Sequence, residues 1–183
     1  MTDFQYVQGP GYPLDMRKIY RRVRNATVST TFAVGDIVMF DIEGSRVTDS
    51  TEEFNDSRTD ANVIAPAAAG IGTTSSTGMV PGGWFGVVVD LLEGEAASGV
   101  TPGAATQPVK VLVRGRVKAK QPASITVAVG DGLVAADGAV TLTNVCAAGN
   151  KVIAIAEEAQ TTTAGAYWCK FDGINGFGNY FAS

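Results

Sequence analysis

Residues 109–120 read VKVLVRGRVKAK, an alternation of apolar and basic residues that is typical of a β-strand. Successive side chains of a strand point to opposite faces, so the period of two puts Val111, Val113, Val117 and Ala119 on one face. The other face carries a row of four cations, here called the basic strip: Arg114, Arg116, Lys118 and Lys120. A strand with one apolar face must bury that face against another layer, which favours a sheet protein.

The rest of the chain repeats this strand pattern. Valine, threonine, alanine and glycine dominate, whereas leucine, glutamate, lysine and glutamine are scarce. Residues 19–28 fit either a strand or a short helix. Further strands are predicted at 86–92, 151–156, 37–42, 124–129, 139–142 and 166–171. Many short strands between Gly, Pro and Asn signals predict an all-β fold, a compact antiparallel β-sandwich or barrel.

One motif occurs twice. Residues 33–38 read AVGDIV, and residues 128–134 read AVGDGLV. Glycine supplies a positive φ and aspartate caps the turn, so both segments predict tight turns that lead into buried strands. One interpretation of the two copies is two related β-units that face each other across one core. The alternative is two unrelated turns of a type that is common in β proteins.

The 183 residues suit a single domain. Residues 1–25 are predicted as an extended N-terminal arm, because prolines and glycines interrupt its aromatic residues Phe4, Tyr6 and Tyr12. The arm packs on its own domain or on a neighbour. Residues 26–183 form the β-rich domain, with long loops at 62–83 and 93–108. These loops consist mainly of small, uncharged residues, which suit packing against another chain. We therefore predict that the chain self-associates as a trimer.

The amino-acid composition excludes several classes of catalytic and metal site. The chain has no histidine, which excludes Ser-His-Asp and Cys-His nucleophilic sites and HExxH zinc sites, although carboxylate-only or Ser-Lys chemistry is still open. We therefore expect no enzyme, no metal and no cofactor. No apolar run approaches the roughly 20 residues of a membrane helix, and the N-terminus lacks the apolar region of a signal peptide. Cys146 and Cys169 are expected to be buried free thiols, with a strand-to-strand disulfide as the alternative.

Charge is distributed unevenly along the chain. Arg17, Arg21 and Arg22 belong to a basic run, and the basic strip contains no acid, although the net charge is −4. Four cations in one row repel each other, so the strip is expected to lie beside acids or to bind an acidic partner. The alternative is a solvated sheet face protected by lysines. No aromatic residue interleaves with these cations along the chain, so direct nucleic-acid binding is not expected.

The order of these motifs along the chain resembles that of a known group of proteins. A GDIV turn at 35–38, the long Gly/Ala/Thr loop, the strand at 109–120 and VGDGLVAADGAVT at 129–141 follow one another. After them come AGNKVIAIAEEA at 148–159 and a Gly/aromatic end. This order is similar to that of the head-decoration, or cement, proteins of tailed bacteriophages. The resemblance covers roughly residues 12–177 and carries over no binding residues.

The resemblance implies a β-rich structural virion protein, often a trimer, that binds the major capsid protein on the outer surface of the capsid and stabilises the shell. Such a protein would be located in the virion and assembled in the host cytoplasm. The partner-binding residues expected from charge and aromatic content are Phe4, Tyr6, Tyr12, Arg17, Arg21, Arg22, Arg114, Arg116, Lys118 and Lys120. Two alternatives are another virion component, such as a capsid, tail or fibre subunit, and a carbohydrate-binding β-module that uses Trp84, Tyr167 and Trp168.

Overall fold

A computed structural model of the chain describes residues 18–27, 30–40, 61–66, 84–123, 125–136, 138–145, 150–161 and 164–177. This part of the chain is all-β, as predicted, and its one helical element is a 3-10 turn at Glu93–Glu95. Its strands are β1 (Ile19–Asn25), β2 (Ile37–Phe40), β3 (Ala61–Ile64), β4 (Phe85–Asp90), β5 (Pro108–Gln121), β6 (Gly132–Ala135), β7 (Leu142–Thr143), β8 (Ala154–Ala156) and β9 (Gly165–Asp172). A search of the described residues finds no helix long and apolar enough to span a membrane.

Five strands close into a barrel. Their order is β1-β3-β2-β4-β5, and β5 pairs back to β1. Neighbours run antiparallel except β1 and β3, which are parallel. One core cluster takes the inward-facing valines of all five strands: Val23, Val38, Val63, Val88, Val109, Val111 and Val113. Because every strand of the ring has two neighbours, the ring presents no free strand edge.

The strand β5 is long enough to belong to two layers. Residues 108–114 pair with β1, and residues 114–121 pair with β9. Gly115 lies where β5 passes from one layer to the other, and its φ is 129°, a value that residues other than glycine rarely adopt. From β9 the sheet continues through β8 and β6 to β7. A second core cluster lies here and includes Val117, Ala119, Leu133, Leu142, Ala156, Tyr167, Cys169 and Phe171, together with Ile37, Val87 and Leu112 of the barrel strands.

The strand order repeats itself around the β5–β9 pair. On one side lie β5, β4, β2 and β3, and on the other lie β9, β8, β6 and β7. The registers correspond as well, since Val38 faces Gly86 in the way that Leu133 faces Ala154. We call β2–β5 the first repeat and β6–β9 the second repeat. This strand order is the one expected if the two motif copies belong to related β-units, although the structure has two core clusters where that interpretation has one.

Each repeat begins with one copy of the AVGD motif, here named turn 1 (residues 33–36) and turn 2 (residues 128–131). In turn 1 the Asp36 N–H donates to the Ala33 carbonyl, and the Ala33 N–H donates back to Asp36 Oδ2. Turn 2 has the same two hydrogen bonds between Asp131 and Ala128. Both glycines have φ 92°. The sequence therefore predicted both turns and the reason for their glycine and aspartate.

Some predicted boundaries need correction. Of the two options predicted for residues 19–28, the structure has the strand, β1, which closes the barrel, so residues 19–25 do not belong to the predicted arm. Residues 61–64 form β3, so the strand includes the first residues of the predicted loop 62–83. The predicted strand 124–129 is reduced to a single bridge between Val127 and Gln160. Residues 93–107 contain no strand, as expected for the second loop, and β5 begins at residue 108. Residues 1–17 and 67–83 lie outside the described residues.

Candidate functional site

The basic strip lies on one face of the second half of β5. Arg114, Arg116 and Lys118 are exposed and Lys120 is half-buried, whereas Val117 and Ala119 between them are buried. The alternation predicted from the sequence is therefore confirmed. A strand paired along its length holds its side chains in fixed directions, so the four cations form a defined row.

Acidic side chains lie beside three of the four cations. Arg114 Nε is 3.3 Å from Asp172 Oδ2, and Lys120 Nζ is 2.7 Å from Asp36 Oδ1. Arg116 Nε donates to Glu157 Oε2. These acids come from β9, turn 1 and the residue after β8, which the fold brings to β5. They offset the repulsion within the strip, as the sequence predicted for a row of like charges.

A tryptophan lies within the strip. Trp168 of β9 faces Lys118 across the β5–β9 pair. The Arg116 guanidinium lies 4.4 Å from the centre of the indole ring, and Lys118 Nζ lies 5.5 Å from it. Both distances are in the range of cation–π contacts. Glu158 Oε2 accepts a hydrogen bond from the Trp168 backbone N–H, and Glu157 donates its own N–H to the Trp168 carbonyl.

Sequence reasoning missed this aromatic residue. No aromatic residue lies between the cations along the chain, and Trp168 comes from a strand about 50 residues later. Only the β5–β9 register, which no local pattern reveals, places the indole between two cations. Nucleic-acid binding was not expected because no aromatic residue interleaves with the cations along the chain, but in the folded protein Trp168 lies against two of them. The expectation of a protein partner remains a prediction.

A second group of cations lies on β1 and the first half of β5. Arg22 Nε is 2.8 Å from Glu95 Oε2, and Arg21 is exposed and donates to the Tyr20 carbonyl. Lys110 Nζ lies 4.9 Å above the Tyr20 ring. The remaining predicted partner-binding residues, Phe4, Tyr6, Tyr12 and Arg17, lie outside the described residues.

The titratable groups of the second core are held in their neutral forms. Burial, and to a smaller extent the Glu157 carboxylate, raises the pKa of the Cys169 thiol to about 12. Burial also raises the pKa of Tyr167. Cys169 is a free thiol, as expected, and Cys146 lies outside the described residues. Within the described part of the chain, no group of three or more Cys, Asp or Glu residues could hold a metal ion.

The raised pKa of Cys169 predicts a slow reaction with alkylating reagents. The thiolate is the reactive form, and a rise from 9.0 to about 12 lowers its fraction about a thousandfold at pH 8. We expect iodoacetamide to label Cys169 at pH 8 at least a hundredfold more slowly in the folded protein than in denaturant. Peptide mapping by mass spectrometry separates Cys169 from Cys146. Equal rates in both states would contradict the burial.

The two tryptophans lie in different settings, and neither belongs to a core cluster. Trp168 is half-buried under its two cations, whereas Trp84, just before β4, is 50% exposed. The site that the geometry brings together is therefore the basic strip with Trp168. No protein-family model and no curated protein matches the sequence of the chain.

Proposed function

We propose that the chain is a structural virion protein that binds the outer surface of a phage capsid and stabilises the shell as a decoration, or cement, protein. The proposal rests on the order of sequence motifs, which resembles such proteins. It is supported by an all-β fold with an exposed face of fixed cations. In this proposal the partner is the major capsid protein, the chain acts as a trimer without enzymatic activity, and its place is the capsid surface.

The basic strip with Trp168 is the observation that carries the choice of binding surface. Its cations are oriented before binding by Asp172, Glu157 and Asp36, so less side-chain freedom is lost on binding than with free lysines and arginines. Tryptophan and arginine are the residue types most enriched at the energetic centres of interfaces. Lys118 makes no ion pair with any described residue, so its charge is available to an acidic partner.

The N-terminal arm is proposed to add to this contact. Phe4, Tyr6 and Tyr12 would bury apolar area against the capsid or a neighbouring subunit, and Arg17 would pair with acids there. Since β1 begins at Ile19 and is part of the barrel, a truncation that ends at residue 14 removes no strand of the described sheet. Loss of attachment by such a truncation, with the barrel still folded, is the expected outcome.

The strip is tested by binding to shells assembled from the major capsid protein of the same virus. We expect Trp168→Ala to weaken co-sedimentation about tenfold, because it removes the indole that positions Arg116 and Lys118. Lys118→Glu should weaken binding more at low salt than at high salt, because salt screens the interaction between exposed charges. Trp84→Ala is the matched control, since it removes an exposed indole that makes no cation–π contact with a described cation of the strip. A wild-type chain that does not bind would contradict the function, and a neutral Trp168→Ala would contradict the surface.

A further inference from the structure

Turn 1 is occupied by a lysine of the same chain. The Lys120 backbone N–H donates to the Gly35 carbonyl at 3.0 Å, and its Nζ lies 2.7 Å from Asp36 Oδ1. Between these two points the lysine stem crosses the glycine, and its Cγ is 3.1 Å from the place where a Cβ on Gly35 would be. One lysine in extended backbone is thus held at both its main chain and its ammonium group. Turn 1 shows what this motif can bind.

Turn 2 has the same construction but no such occupant. Gly130 is exposed, and no heavy atom lies within 4 Å of its Cβ position. Asp131 Oδ2 accepts hydrogen bonds from the Ala128 N–H and from Asn144 Nδ2. No donor among the described residues reaches Asp131 Oδ1, the atom that corresponds to the lysine acceptor in turn 1. The two acceptors that bind Lys120 in turn 1 therefore have open counterparts in turn 2.

Apolar side chains flank these two acceptors. Val129 at the tip of turn 2 is 66% exposed, and Val145, next to the Asn144 that donates to Asp131, is 72% exposed. They are the two most exposed large hydrophobic side chains of the described residues. Val34, at the same position of turn 1, is 55% exposed beside Lys120, so the lysine alone does not cover this valine. A neighbouring apolar side chain of a bound segment would contact Val129 and Val145 and remove part of their surface from water.

We propose that turn 2 is a docking site for a lysine in an extended segment of another polypeptide, bound as turn 1 binds Lys120. The Gly130 carbonyl would accept the lysine backbone N–H, and Asp131 Oδ1 would accept its ammonium group. The occupant must come from another chain, because all six lysines of this one lie in the described residues and none donates to Asp131. The proposal does not depend on the proposed function, since it rests on the two turns alone.

The probe is a blocked synthetic peptide with the sequence of residues 116–122, RVKAKQP, added to the full chain. We expect the backbone amide NMR signals of Val129, Gly130 and Asp131 to shift in a saturable way at millimolar peptide or below. The signals of turn 1 should not move, because Lys120 already occupies it. The peptide with Lys120→Met should bind at least fivefold more weakly, although it keeps the lysine at position 118.

A variant of the protein provides the second test. Asp131→Asn keeps an acceptor for the Ala128 N–H but removes the charge, and it should also lower the affinity at least fivefold. Unshifted amide signals in β4, β5 and β9 would show that the variant is folded. The proposal is overturned if turn 2 does not respond to millimolar peptide. It is equally overturned if the wild-type protein binds the Lys120→Met peptide as tightly as the original.

Discussion

Replacing Gly173 by alanine is expected to lower the free energy of unfolding by about 3 kcal/mol or more, through a clash with backbone that cannot move away. A Cβ at this position would lie 2.0 Å from the Phe85 carbonyl oxygen and 2.7 Å from its carbon. The same backbone is fixed by two hydrogen bonds, from Phe85 N–H to the Gly173 carbonyl and from Gly173 N–H to the Val113 carbonyl. The clash therefore falls where β4, β5 and the end of β9 meet.

Urea denaturation followed by tryptophan fluorescence and circular dichroism measures this loss. Gly94→Ala is the matched control, because no heavy atom lies within 4 Å of its Cβ position and its φ is not positive. We expect Gly94→Ala to change the stability by less than about 0.5 kcal/mol. If Gly173→Ala were as stable as the control, the close approach of β4 to residue 173 would be wrong.

Part of the fold could be predicted because its strands carry their own signal. In β5, buried valines alternate with exposed cations, and β4 is a short continuous run of buried apolar residues, so both patterns indicate strands. β1 lacks that signal, since it buries only Val23 and Asn25 and exposes its arginines. Its pairing with β3 and β5 is made by backbone hydrogen bonds, which any sequence can form. For this reason residues 19–28 were left open between a strand and a short helix, and residues 1–25 were assigned to the arm, although β1 closes the barrel.

The candidate site was half predictable for a related reason. The cations of the strip share one strand, so the period of two was enough to group them. Their partners Trp168, Glu157 and Asp172 come from later parts of the chain, and only the β5–β9 and β8–β9 registers bring them to β5. The repeated AVGD motif was visible in the sequence, but the difference between its copies was not. That difference depends on Lys120, which reaches turn 1 only because β5 continues beyond the barrel.

Replacing the aspartate by alanine is expected to lower the free energy of unfolding by different amounts in the two turns. We expect Asp36→Ala to lower the free energy of unfolding by about 3 kcal/mol and Asp131→Ala by about 1 kcal/mol. Asp36 is 3% exposed, and its loss would leave the Ala33 N–H without its acceptor and Lys120 without its counter-ion. Asp131 holds Ala128 and Asn144 at a more exposed turn, where water can replace a lost partner.

A double-mutant cycle separates the ion pair from the turn hydrogen bond. Lys120→Met keeps the stem over Gly35 and removes the charge, so Asp36→Ala and Lys120→Met should be non-additive by about 1–2 kcal/mol in urea denaturation. The effects of Lys120→Met and Asp131→Ala on the free energy of unfolding should be additive, because Lys120 does not contact turn 2. Additivity in both pairs would mean that Lys120 contributes to turn 1 only through its backbone and stem. In that case the Asp36–Lys120 ion pair would not support the proposal that the Asp131 carboxylate of turn 2 binds a lysine, because that proposal is based on this pair.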